Sequence, residues 1–261
     1  MSSKDKTKKV ASICDRLSKK FRVQPFPEDM PSVEALLIAV LMEKIPPSRA
    51  EQAVKRLQGA FVDWNEMRVT RGREIIEWAK EKHIDQRTAR ACRDALDRLY
   101  ADRSDFDLSF LADESFDTMR NYLVNGLRLP LRPAARLMLL YFGRPALPVA
   151  DDVRRVADRL GLVDPSWPEN RAQKSLVRLI PCDRMAEFYH YSAQHAEATC
   201  LVASPKCARC LLRTICDYYA ETSKKKPSAK KSTSKKTRKK TTKKTPKKRN
   251  RSKTRSKKKK T

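Results

Sequence analysis

Apolar residues recur at three- and four-residue spacing along most of the chain, and no stretch alternates apolar and polar positions for long enough to make a strand. Val10, Ile13, Leu17 and Phe21 share one face of a helix predicted over Lys8–Phe21. The run VEALLIAVLM, Val33–Met42, has almost no polar side and predicts a helix buried all round, with Ser32 as its N-cap. Further helices are predicted over Ser48–Leu57, Gly72–Trp78, Arg87–Tyr100, Phe116–Val124, Pro133–Phe142, Asp151–Leu160, Glu169–Ile180 and Asp183–Thr199. The connections are short and often hold Pro, which cannot continue a helix. The pattern therefore predicts an all-α protein of about ten helices.

Charge changes that picture at one end only. The chain has 261 residues with 59 Lys+Arg and 31 Asp+Glu, a formal charge of +28. Ser223–Thr261 holds 22 of those bases and no acid, which leaves 37 bases against 31 acids in the preceding 222 residues. A segment so poor in apolar side chains cannot offset its ordering entropy, so 223–261 is expected to be a disordered tail that condenses on polyanions, DNA or RNA, with counterion release. No apolar run is long enough to span a membrane, and MSSKDKTKK is not the start of a secretory signal. An intracellular location follows as an expectation, cytoplasmic and nucleoid-associated, or nuclear in a eukaryote. The five glycines are scattered, which excludes a dinucleotide fingerprint and a phosphate loop, and the three histidines form no HExxH motif.

The sharpest chemical signal is Cys200-x6-Cys207-x2-Cys210-x5-Cys216. One CxxC knuckle with two longer arms suits a bulky 4Fe–4S cube, with zinc as the alternative, because zinc sites more often use two close knuckles. Lys, Pro, Ser and Arg intervene, unlike a core segment. Cys14, Cys92 and Cys182 lie on or beside apolar faces and are expected to be core thiols.

This spacing at the end of an all-α chain resembles the endonuclease III family of DNA glycosylases and AP lyases, the helix-hairpin-helix–GPD superfamily. SVEALLIAVLM (Ser32–Met42) is similar to the family's buried helix. GLRLPLRPAARLMLLYFG (Gly126–Gly143) stands where the family has its hairpin and following helix, and VADDVRRV (Val149–Val156) is similar to its VDTHIFRV segment. TCLVASPKCARCLLRTICDY resembles its cluster-bearing end. The resemblance implies a two-lobed helical domain over 10–199 after a flexible 1–9, with the hairpin near 116–142 and a 4Fe–4S loop over 200–216. It implies a monomer gripping the backbone of double-stranded DNA, base flipping and cleavage of a glycosidic bond.

Two positions depart from the family pattern. Counting back from Phe142–Gly143, the hairpin Lys that forms a Schiff base in bifunctional members is Arg132, and no Lys occurs between Lys82 and Lys174. A guanidinium stays protonated and cannot serve as the amine nucleophile. The family's Asp corresponds to Ala150, with Asp151 and Asp152 just after it as the remaining carboxylates. AP-lyase chemistry is therefore not expected and glycosylase activity is in question. The alternatives are a catalytically inactive, nucleoid-associated iron–sulfur protein and an RNA-binding protein. The hairpin glycines correspond to Arg128 and Pro130. Arg128, Arg132 and Arg136 are the expected hairpin contacts to phosphate, with Lys206, Arg209 and Arg213 on the cysteine loop. Ile45 and Ile84 stand at the family's space-filling Gln and wedge Leu.

Overall fold

The computed structural model describes residues 3–224, in which helices are joined by turns and no strand occurs. The helices are α1 (Ser3–Leu17), α2 (Ser32–Leu41), α3 (Pro47–Ala60), α4 (Trp64–Val69), α5 (Gly72–Ala79), α6 (Gln86–Arg103), α7 (Phe116–Asn121), α8 (Leu131–Arg136), α9 (Asp151–Arg159), α10 (Glu169–Leu179), α11 (Met185–Ala198) and α12 (Asp217–Lys224). The predicted all-α class is the observed one. Two helices were not expected: α4, a single short piece capped by the Asp63 carboxylate on the Glu66 N–H, and α12. Apart from its first two residues, which end α12, the segment 223–261 lies outside the described residues.

All of α2 except Glu34 is buried, as its unbroken apolar run requires. Around it α3, α5 and α6 pack as one lobe, with α4 laid on α6. The other lobe joins the two ends of the described chain: α1 packs on α10 and α11, and α9 packs on α11 and α12. Residues 3–9, expected to be flexible, are instead helical, because Lys6 Nζ donates to the Leu162 carbonyl at 2.9 Å and Lys9 pairs with Asp217 at 2.8 Å. α8 lies against α2, and the turn following α8 touches both α2 and α11.

Each hairpin helix ends in a wide turn closed by an i→i+5 bond. Tyr122–Gly126 follows α7 with Leu127 N–H on the Tyr122 carbonyl at 2.9 Å; Leu137–Tyr141 follows α8 with Phe142 N–H on Leu137 at 3.2 Å. α9 stops at Gly161, whose φ of +68° is glycine's territory, and a Cβ there would lie 1.9 Å from an Asp217 carboxylate oxygen. That close approach seats the start of α12 against the end of α9. Cys14 and Cys92 are fully buried and burial pushes both thiols up to about 12, so they are inert core groups. Cys182, expected to be core, is exposed at a single turn after Pro181.

Candidate nucleic-acid cleft and cysteine loop

The chain from Met42 to Ser48, the cleft side of α8, the start of α9 and one face of α11 enclose a cleft of about 880 Å3. Arg132 projects into it from α8, with its guanidinium 3.6 Å from Asp151, a carboxylate 94% exposed. Ala150 is the N-cap of α9 and has no side chain able to cap it. Asp152, half-buried in the cleft wall, turns back to accept the Val153 N–H at 2.7 Å and so takes over one of the orphan amides of the helix start. Arg132, Ala150, Asp151 and Asp152 all line this one cleft.

Arg136, expected at the phosphate backbone, is not a surface residue. Its side chain is 4% exposed, pairs with Glu43 at 2.5 Å and donates to the Ala39 carbonyl at 3.3 Å. One turn deeper than Arg132, it ties α8 to the end of α2. Tyr189 and His190 of α11 form the adjoining wall. Burial raises the Tyr189 phenol and holds the His190 imidazole down to about 4, so His190 is neutral near pH 7. Its Nε2 is buried without a hydrogen-bond partner among the described residues. Ile45 and Ile84 are both 4% exposed and serve as core residues, although Ile45 also edges the cleft.

At the hairpin tip Arg128 is exposed with φ of +53°, the left-handed region that favours glycine. The backbone keeps the shape a glycine would adopt, but a charged side chain is mounted on it. Leu129 N–H closes the turn on the Leu123 carbonyl at 3.0 Å, and Pro130 caps α8.

All four Cys200, Cys207, Cys210 and Cys216 line one small pocket, walled by Val156, Leu160 and Leu212. Among the described residues no three His, Cys, Asp or Glu side chains converge on a point where a single ion would sit. Burial raises the Cys210 and Cys216 thiols above the ordinary cysteine value, and neighbouring sulfurs of the quartet raise them further. The Leu212 N–H lies 3.3 Å from Cys210 Sγ. From α9, Arg159 donates to Cys200 Sγ at 3.2 Å and to the Leu201 and Val202 carbonyls at 2.7 and 3.0 Å. Arg155 donates to the Cys200 carbonyl at 2.9 Å. The sequence reading missed both arginines; their i, i+4 spacing on a helix leading away from the cleft was the available signal. Lys206, Arg209 and Arg213 are exposed on the loop, with Lys206 Nζ 3.2 Å from the Ala198 carbonyl and Arg213 stacked on Tyr219.

The fold and site together define a class: a two-lobed helical scaffold with a hairpin at its cleft and a four-thiol loop at its end. Solved structures share that scaffold. A non-covalent endonuclease III–DNA complex superposes with TM-score 0.69 at 19% identity, covering 84% of this chain and 99% of that one. A thermostable thymine-DNA glycosylase gives 0.66 at 16% identity, covering 85% and 100%. In sequence, the DNA glycosylase/AP lyase ROS1 of Arabidopsis thaliana is 26% identical over 178 residues, 61% of this chain but only 13% of that protein. Endonuclease III of Rickettsia conorii is 32% identical over 78 residues, 30% of this chain and 37% of that one. No protein-family model matches the chain. The chain has the all-α fold of these endonuclease III and thymine-DNA glycosylase structures, and it spans only a minor part of the sequence relatives it matches.

Proposed function

We propose that the protein binds duplex DNA in the cleft between its lobes, carries a 4Fe–4S cluster on Cys200, Cys207, Cys210 and Cys216, and does not perform Schiff-base AP-lyase chemistry. The observation that carries this reading is Arg132 on the cleft side of α8, in a stretch with no Lys between Lys82 and Lys174. A guanidinium can bind a phosphate or an abasic sugar's oxygens, but it has no lone pair to attack carbon. The names of the relatives, glycosylases and an endonuclease, support DNA as the partner. A bound cluster supplies a rigid, electron-rich anchor for the loop, and the chain's own part is to present Lys206, Arg209 and Arg213 at the surface of that loop. The basic segment 223–261 adds sequence-independent attraction to the same polyanion. Action at the nucleoid or nucleus belongs to this reading.

A second reading is base excision without lyase activity, and Asp152 favours it. Its carboxylate lies in the cleft wall at the start of α9, where it can face a developing positive charge on a sugar. One set of measurements decides between the two. Anaerobically purified protein should contain about four irons per chain; stoichiometric zinc would refute the cluster. Borohydride should trap no adduct with abasic duplex DNA through residues 3–224; a peptide-mapped adduct there would overturn the Arg132 argument. A glycosylase screen over oxidised pyrimidines and mismatches should give no product from the wild type. Product that disappears with Asp152→Asn, but not with Asp151→Asn, would establish the second reading instead.

A further inference from the structure

The segment Leu131–Leu140 lines two separate recesses. Arg132, Arg136 and Leu140 face the DNA cleft, whereas Leu131, Ala134, Ala135 and Met138 look onto a separate groove of about 540 Å3. Its far wall is α10, contributing Gln173 and Val177, and its ends are closed by Val124 and Leu147. Gln173 Nε2 fixes that wall by donating to the Leu147 carbonyl at 3.0 Å. The floor is apolar and the rim is cationic. Arg120 of α7 stands on one side, and Lys174 and Arg178, one helical turn apart, stand on the other. All three are exposed, and none makes an ion pair or side-chain hydrogen bond among the described residues. Asp117 is the acid among the groove's lining residues. Beyond α10 the positive strip continues to Arg171, stacked on Trp167 at 4.4 Å, and to Lys6.

We propose that this groove docks an acidic, leucine-bearing segment of a partner protein, with apolar side chains on the floor and carboxylates on Arg120, Lys174 and Arg178. This goes beyond the DNA cleft and does not depend on its chemistry. Unpaired cations around a recessed apolar floor complement a segment carrying both acid and hydrocarbon. A nucleic-acid backbone would use the rim and leave the floor uncovered. The chain's own 223–261, with 22 Lys+Arg and no acid, has the wrong sign to fill the groove.

The test uses the full chain and a fluorescent synthetic peptide with Leu at i, i+3, i+4 and i+7 among Glu residues, one Leu replaced by a photo-crosslinking residue. A peptide of the same composition with scrambled order is the control. Cross-links are expected on Leu131, Met138 or Val177. Lys174→Glu with Arg178→Glu should weaken peptide binding at least about tenfold, or 1.4 kcal/mol. Leu131→Ser should weaken it as well, and scrambling should do the same to the peptide. These substitutions are at exposed positions, and unchanged thermal unfolding checks that the fold is intact. Cross-links confined to the basic tail or the DNA cleft would overturn the proposal, as would equal affinity for the variants. A loss of duplex-DNA binding in Lys174→Glu/Arg178→Glu without loss of peptide binding would make the groove a nucleic-acid surface instead.

Discussion

Arg128 and Arg136 sit eight residues apart in sequence and have opposite fates. Arg128 holds a left-handed φ of +53° at the exposed tip of the hairpin, a conformation that costs a non-glycine residue about 1 kcal/mol. A side chain that contributed nothing would leave glycine the better choice. The expected outcome separates side chain from backbone: Arg128→Gly and Arg128→Ala should weaken duplex binding equally, by about 1 kcal/mol, and each should lower the salt slope by ~0.9. If Arg128→Gly keeps full affinity while Arg128→Ala loses it, the backbone amides are the contact. Arg136 is buried on Glu43, 93 residues earlier in the chain. Removing one partner of a buried pair leaves a charge without compensation, so Glu43→Ala should destabilise by about 3 kcal/mol, with much of the loss recovered in Glu43→Ala/Arg136→Met. Urea unfolding of the two variants checks this. The contrast also marks how far the sequence can be read. Spacing and residue type were enough to single out the four cysteines, which share one pocket, and Arg132, which lines the cleft. The burial of Arg136 was not legible, since its sequence context differs little from that of Arg132 and the deciding partner lies on another helix.

At the scale of elements, apolar periodicity located ten of the helices, and it erred mainly where local bonding ends them. Pro133–Phe142 was expected as one regular helix but is α8 followed by a wide i→i+5 turn. Sequence periodicity cannot distinguish such a turn from a helix whose face has slipped by one residue. The six-residue α4 is too short for any period to show. Ser32 is a more instructive difference. It was expected to cap α2, but it is the first residue of that helix, after Pro31. Its hydroxyl donates to the Asp107 carboxylate at 2.9 Å and accepts the buried Leu108 N–H at 2.7 Å. The residue type was right for a helix start, but its bonds reach across the lobe to the turn after α6. Ser32→Ala should therefore cost about 1–2 kcal/mol, since it orphans a buried amide, whereas Ser32→Thr should recover part of that loss. An exposed N-cap would lose less and would not alter hydrogen exchange at Leu108, which is the measurement that distinguishes the two.

For the whole molecule, the two ends of the described chain close the fold. α1 packs on α10 and α11, and Arg16 reaches Thr214 Oγ1 at 2.6 Å, so the first helix braces the cysteine loop that comes last. α11 is the common wall: one end leads into Cys200, and its side lines the cleft through Tyr189, His190 and Gln194. A titratable group in that wall links the stability of the whole scaffold to pH. His190 is buried, with its imidazole held at about 4 by loss of hydration, while an unfolded histidine titrates near 6.5. Between those values the unfolded chain binds the proton and the folded chain does not. Stability from keeping His190 neutral is therefore complete above about pH 6.5 and falls as pH drops towards 4. His195 on the same helix is likewise held down to about 4 by burial and adds a decline of the same sign over the same window, whereas Asp85, held at about 2 through its bonds to Thr88, gives way only at lower pH. The urea midpoint should thus decline from pH 7 to pH 4.5, and His190→Gln, which cannot be protonated, should flatten that decline even if it is less stable at pH 7. Equal slopes in the two proteins would show that His190 is solvated and that the wall between cleft and loop is open to water.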